Sequence, residues 1–174
     1  MKKISLIAVL LSAVLLTACK QDTKEYVHIG PNWAALNAIH ASEKSFKVDV
    51  NAVGSAVLGD TLTLKVKSAQ AGRLWILQVD SNDEVSQIFP NAMVADNQIE
   101  AGSWKVIPAE GSNWSIEAMK PTGPSVVVFI VTGPGTDLSA VFNGQPKQME
   151  KALRLVKEAP AWGLAKQVID IKEK

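Results

Sequence analysis

The sequence predicts a mainly β domain: an antiparallel β-sandwich or partly open barrel with a short N-terminal helix and one C-terminal helix. Three observations predict it. Apolar and polar residues alternate along several runs, as in Phe46-Lys47-Val48-Asp49-Val50-Asn51-Ala52, the period-two signature of half-buried strands. These runs recur at roughly ten-residue intervals with Gly, Pro, Asn and Asp between them, the rhythm of a sandwich or barrel. Near the C-terminus alone the pattern turns strongly helical. A chain of 174 residues, 47% hydrophobic and 20% charged, is long enough for one such domain and lacks the charge excess of a disordered chain.

The first element is not part of the domain. Lys2 and Lys3 precede an apolar run from Ile4 to Leu16. As a helix that run would span about 20 Å, short of the ~30 Å bilayer core, so it reads as a signal-peptide core. It ends in Leu16-Thr17-Ala18-Cys19, with the sole cysteine of the chain. This resembles the bacterial lipobox, in which the cysteine thiol receives a diacylglyceryl group and the chain is cleaved just before it. Residues 1–18 are then a signal peptide, and removal of Lys2 and Lys3 from the 18 basic residues leaves 16 against 17 acidic ones. Lys20 stands where an aspartate would hold a lipoprotein in the inner membrane, which directs the expectation to the outer membrane, facing the periplasm. Residues 19–30 read as a lipid-anchored tether and residues 31–174 as a single domain.

Within the domain, Pro31 and Asn32 precede Trp33, Leu36 and Ile39, the spacing of a short helix. Strands are predicted over 46–52 and 61–67. Arg73 to Asp80 is apolar on both faces and reads as a central strand, joined by a turn at Ser81-Asn82-Asp83-Glu84 to a hairpin partner at Val85–Phe89. Further strands are predicted at Trp104–Ile107, at Trp114–Ala118 and over the buried run Ser125–Val131. From Pro146 to Glu158, Met149, Ala152, Leu153 and Val156 share one helical face and Lys147, Lys151 and Arg154 the opposite one. A last strand is predicted from Gln167 to Ile171.

Several short patterns between Gly59 and Asp137 carry a resemblance. They are Gly59-Asp60 before an alternating strand, Gly72-Arg73-Leu74-Trp75-Ile76-Leu77-Gln78-Val79-Asp80, Ile88-Phe89-Pro90-Asn91, Asp96-Asn97-Gln98-Ile99, Ala101-Gly102, Ile107-Pro108 and Pro121-Thr122-Gly123. Together they resemble the family catalogued as "domain of unknown function 4384", with a family-like core at 59–137. The resemblance implies a β-sandwich module of bacterial envelope proteins, without catalytic residues to carry over. Asn82-Asp83 stands where the family usually has a glycine-containing turn. Pro90 and Pro108 are expected to stop strands, and Asp96 or Asn97 to bond nearby backbone.

The usual chemical constellations each lack a member. Asp80 to Glu84 begins like a calcium loop, but Val85 and Asn91 stand where glycine and glutamate are required, so a hairpin turn is the better reading. Gly133-Pro134-Gly135-Thr136 has no lysine after its second glycine, and Pro134 removes a phosphate-binding amide. Ser55 lacks a nucleophile elbow, and His28 and His40 are the only imidazoles. The expectation is no catalytic residue, no metal and no cofactor. A formal charge of +1 gives no reason to propose nucleic acid.

Five tryptophans remain as candidate contacts. Trp75 is expected in the core, Trp104 and Trp114 at a sheet end, and Trp33 and Trp162 exposed in non-sheet segments. The candidate partner-binding residues are therefore Trp33, Trp162, Lys147, Lys151 and Arg154, and the lipidation site is Cys19. The function expected is that of a non-enzymatic, protein-binding accessory of an envelope or secretion assembly. It would be held at the outer membrane by its anchor, with one envelope or periplasm-targeted protein as partner. Alternatives are an immunity protein against a secreted toxic effector and a glycan- or peptidoglycan-binding module.

Overall fold

A computed structural model of the chain describes residues 30–142 and 149–174. Cys19, with the predicted signal peptide and most of the tether, lies outside the described residues, as does Lys147. The described chain is mainly β, with antiparallel sheets, one sheet curled into half a barrel, and a helix near each terminus.

In chain order the elements are α1 (Pro31–Ala38), β1 (Ser45–Phe46), β2 (Val48–Asn51), β3 (Ser55–Val57), β4 (Thr61–Leu62) and β5 (Leu64–Ser68). There follow β6 (Gly72–Val79), β7 (Val85–Phe89), β8 (Gln98–Ile99), β9 (Trp104–Ile107) and β10 (Ile116–Glu117). The chain closes with β11 (Gly123–Thr132), α2 (Ser139–Phe142), α3 (Met149–Glu158) and β12 (Trp162–Lys172). The large sheet runs β1-β12-β11-β6-β7, with β3 also on β12 and β8 also on β6. β11 lies antiparallel to β12, from Gly123↔Ile171 to Thr132↔Trp162, and antiparallel to β6. β1 and β3 join β12 in parallel. A second, antiparallel sheet is β2-β5-β9, and β4 pairs with β10 alone.

The continuous apolar run of β11 follows from its place between β6 and β12, with both faces covered. Val126, Val128 and Ile130 point to one side and Val127, Phe129 and Val131 to the other. On the first side lie α1 and α3, which bury Leu36, Met149, Ala152, Leu153 and Val156 against Trp75, Leu77 and Val79 of β6. Each Leu, Met or Val among them contributes about 1.5–3 kcal/mol on full burial. On the second side lie the smaller sheets, with Leu62, Leu64, Val66 and Ile107 packed on Leu74, Ile76 and Phe129. The large sheet thus separates a helical layer from a β layer.

The hairpin β6–β7 and strands β9 and β11 stand where the alternation and turns predicted them, whereas the predicted strand over 61–67 divides at Thr63 into β4, paired with β10, and β5, paired with β2 and β9. The predicted strand over 46–52 divides at Lys47, where the chain passes from β12 to β5 as pairing partner. β12 begins at Trp162 rather than Gln167, and β10 covers only Ile116 and Glu117 of the predicted 114–118. Strands β3 and β8 and helix α2 have no counterpart in the sequence reading.

Candidate functional site

The motif residues between β6 and β9 hold loops. Asn97 accepts the Leu74 amide with its carbonyl at 2.7 Å, and its side-chain amide donates to the Leu74 carbonyl at 3.1 Å. Asp96 Oδ1 accepts the Gln98 amide, and Asn91 Oδ1 accepts the amides of Met93 and Val94. β7 stops at Phe89 before Pro90, and β9 stops at Ile107 before Pro108. Gly102 has φ 75°, a left-handed conformation that favours glycine. A Cβ on Gly72 would collide with the Thr132 carbonyl oxygen across the β6–β11 pair, so the first glycine of the Gly72–Asp80 pattern is a packing requirement. Asp80 Oδ1 accepts the amides of Asn82 and Glu84, which makes the Asp80–Glu84 segment a side-chain-braced hairpin turn.

The predicted contact residues are dispersed. Trp162 is 3% exposed, not exposed as expected, because the chain enters β12 immediately after Ala161 and the ring packs under the helical layer. Trp33 is half-buried against the same core. Lys151 and Arg154 are exposed on α3. Trp75 is buried as expected, its indole N–H donating to Thr132 Oγ1 at 3.3 Å. Ser55 and His40 are both exposed.

The most exposed tryptophan is Trp104, 49% exposed at the start of β9. β9 pairs with β5 through Lys67↔Trp104 to Leu64↔Ile107, and among the described residues no strand covers its other edge. The Lys67 ammonium stands 5.2 Å from the Trp104 ring centroid, within cation–π range. Lys105 Nζ donates to the Gln98 carbonyl at 2.7 Å and lies 5.6 Å from the Phe89 ring. Two open grooves of about 790 Å³ each flank the indole. Gly72, Arg73, Gln98 and Glu100 line one, and Thr63, Lys65, Pro108 and Trp114 line the other. β5 and β9 together carry Lys65, Lys67 and Lys105 and no carboxylate. Asp49, across from Lys67 on β2, is paired with Lys47 at 2.7 Å.

The result is an unpaired strand edge with an aromatic anchor and a groove on each side, whose linings mix Arg73, Lys65 and Lys105 with Asp96, Glu100 and Glu110. Such an edge can add an extended segment through backbone hydrogen bonds while the ring and grooves take side chains. Sequence reasoning placed Trp104 at the start of a strand but could not know that the strand is an edge, since strand order is set by distant pairings.

Two ionisable groups near the helices are perturbed by structural contacts. The Ser139 side chain and amide, which begin α2, hold the Asp137 carboxyl below its ordinary pKa, with Arg73 at 3.7 Å adding a smaller share. Partial burial lowers the pKa of Lys166, whose ammonium donates to the Leu36 carbonyl in the last turn of α1 at 2.7 Å. Among the described residues no group of three His, Cys, Asp or Glu is placed to hold a metal ion.

The family model described as "Domain of unknown function (DUF4384)" matches residues 56–134. That span runs from β3 through β11 to Pro134 and includes Trp104 and β9. No curated protein and no solved structure matches the chain.

Proposed function

Residues 56–134 form a domain of the DUF4384 family, and on that premise we propose that the chain is a lipid-anchored, non-enzymatic binding module that engages another envelope protein. In this reading Cys19 carries the anchor, the domain faces the periplasm at the outer membrane, and the module serves as an accessory of a larger assembly. The observation that carries the binding role is Trp104: a large aromatic side chain left half in solvent on an unpaired strand edge. Tryptophan is over-represented among residues that dominate protein interfaces, and an uncovered edge is a liability that proteins usually cover or blunt. Confinement beside a membrane raises the effective concentration of the module toward other envelope proteins.

The exposed indole also favours a second reading, stacking on a sugar ring of a glycan or peptidoglycan strand. An immunity role would use the same protein-binding edge, with a secreted toxin as its partner. Affinity capture from detergent-solubilised envelopes with the full chain separates these readings. The proposal expects one envelope protein to be retained and to be lost with Trp104→Ala. Retention of isolated peptidoglycan instead would transfer the role to the glycan reading. Turnover of an ester, glycan or peptide substrate by the purified chain would overturn the non-enzymatic reading.

A further inference from the structure

The face of the large sheet that carries the β layer changes character toward the β6–β7 hairpin. Residues paired across neighbouring strands share a face, and so does every second residue along a strand. Leu74 and Ile76 of β6, with Phe129 and Val127 of β11, are therefore followed on this face by Gln78 and Ser125. Gln78 pairs with Ser86 of β7, and Ser125 with Ile169 of β12. Opposite them stands the β4–β10 pair, with two residues in each strand. Too short to close the layer, it leaves a cavity of about 220 Å³. The wall is apolar, with Leu62, Ile88, Ile116, Val127, Ile169 and Ile171. Gln78, Ser125 and the four isoleucines lie outside both grooves at Trp104.

Two polar side chains in the cavity have hydrogen-bonding capacity to spare. Ser125 is 1% exposed, and its hydroxyl oxygen accepts the Gln78 side-chain amide at 3.2 Å. Among the described residues, the Ser125 hydroxyl donates to no acceptor and Gln78 Oε1 accepts from no donor. A buried polar group left unpaired costs stability, so the pair offers one donor and one acceptor to whatever fills the space. Water fills it poorly, because a buried water needs about two to four polar partners and the wall is apolar. Apolar groups that displace such waters gain affinity. Asp80 and Glu117 also line the cavity, and Lys120, the cation among its lining residues, has its ammonium 3.7 Å from Glu173. The carboxylates oppose an anionic head, and the apolar wall opposes any full charge.

We propose that this cavity is a binding site for a small uncharged ligand with an aliphatic body and one amide head. At ~30 Å³ for each water-sized group, it holds about seven of them. The amide nitrogen donates to Gln78 Oε1, the amide carbonyl accepts the Ser125 hydroxyl, and the aliphatic chain lies against the isoleucines. Met119, 69% exposed at the rim, offers an adaptable thioether surface to a tail that reaches past it. The site stands apart from the protein-binding edge and does not rest on it.

Methyl spectra of the full chain in detergent, labelled at the isoleucine δ1 carbons, test the site with pentanamide, whose size matches the cavity. The methyls of Ile88, Ile116, Ile169 and Ile171 should shift saturably. Those of Ile39 and Ile130, on the helical side of the large sheet, should stay in place. Pentanoate should bind at least about tenfold more weakly, and Ser125→Ala should weaken pentanamide about tenfold. Ile88→Phe, which fills the cavity from the outer strand, should abolish the shifts at the other three isoleucines in a chain whose spectrum is otherwise unchanged. Three results in the wild-type chain, none dependent on a variant folding, would each overturn the proposal: no saturable shift, equal shifts at Ile39 and Ile130, or equal affinity for pentanoate.

Discussion

Asp83 and Trp33 are joined across fifty residues: Asp83 Oδ1 accepts the Trp33 amide at 2.8 Å, and the other carboxylate oxygen accepts the Asn32 amide at 2.9 Å. These are first-turn amides of α1, which have no partner within the helix. Gly30 and Pro31 provide no side-chain cap of their own, so the hairpin tip supplies one. The Asn32 side chain continues the link, donating to the Asp83 carbonyl and accepting the Met149 amide at the start of α3. Asp83 has φ 65°, the left-handed conformation that favours glycine. Aspartate tolerates it better than most side chains. An aspartate rather than a glycine at this position therefore gives the turn a helix cap, and Gly30 leaves room for the carboxylate.

Substitutions at Asp83 should separate cap from backbone. Asp83→Asn keeps the conformation and part of the cap and should cost least. Asp83→Gly removes the cap and should cost about 1 kcal/mol. Asp83→Ala removes the cap too, and unlike glycine it keeps a Cβ in the left-handed turn without the polar side chain that makes the conformation tolerable, so it should cost about 2 kcal/mol. Urea denaturation checks the order, and an alanine variant as stable as the glycine variant would refute the backbone part.

Trp75 and Trp104 should respond oppositely to truncation. Trp75 is 2% exposed and hydrogen-bonded, so Trp75→Ala should lose roughly 3–5 kcal/mol. Trp104→Ala should stay within about 1 kcal/mol, as expected for a surface change away from caps and core. Denaturation midpoints of the two variants decide between buried and exposed.

The stability contribution of Asp137 should vanish in acid. Its folded pKa is lowered, so its stabilisation is complete above the unfolded carboxylate value and is lost as pH falls through the folded one. Asp137→Asn retains a group able to cap the Ser139 amide but not the charge. Thermal denaturation should show wild type above this variant near neutral pH and the gap closing below about pH 4. A gap independent of pH would contradict the assignment.

Where local pattern decides the structure, the sequence was sufficient. The hairpin from Arg73 to Phe89 follows from a doubly apolar run and a turn of Asp and Asn. The buried face of α3 follows from helical spacing. Where tertiary contacts decide, it was not. Gly163-Leu164-Ala165-Lys166 lacks alternation, yet it is strand: the space where a Cβ on Gly163 would stand is taken by Phe46 and Val48, and Lys166 reaches Leu36. This concealed the start of β12 and made Trp162 look exposed. β3 is only three residues and exists through parallel pairing with β12. For the site, the strand bearing Trp104 was legible, but its edge position was not, because that depends on β5 pairing with β2 and β9.

The anchor assignment makes a direct expectation. Cys19→Ser should abolish labelling by a fatty-acid analogue and move the chain from the membrane fraction to the soluble one. Wild-type chain released fully by osmotic shock would contradict the assignment.

The Trp104 edge is proposed as the place where the partner binds. A photo-crosslinking residue in place of Val106, two positions along β9, tests it in growing cells. One discrete adduct with an envelope protein is expected, lost when Trp104→Ala is added to a chain that remains folded. An adduct that persists unchanged without the indole, or no adduct from position 106 at all, would contradict it.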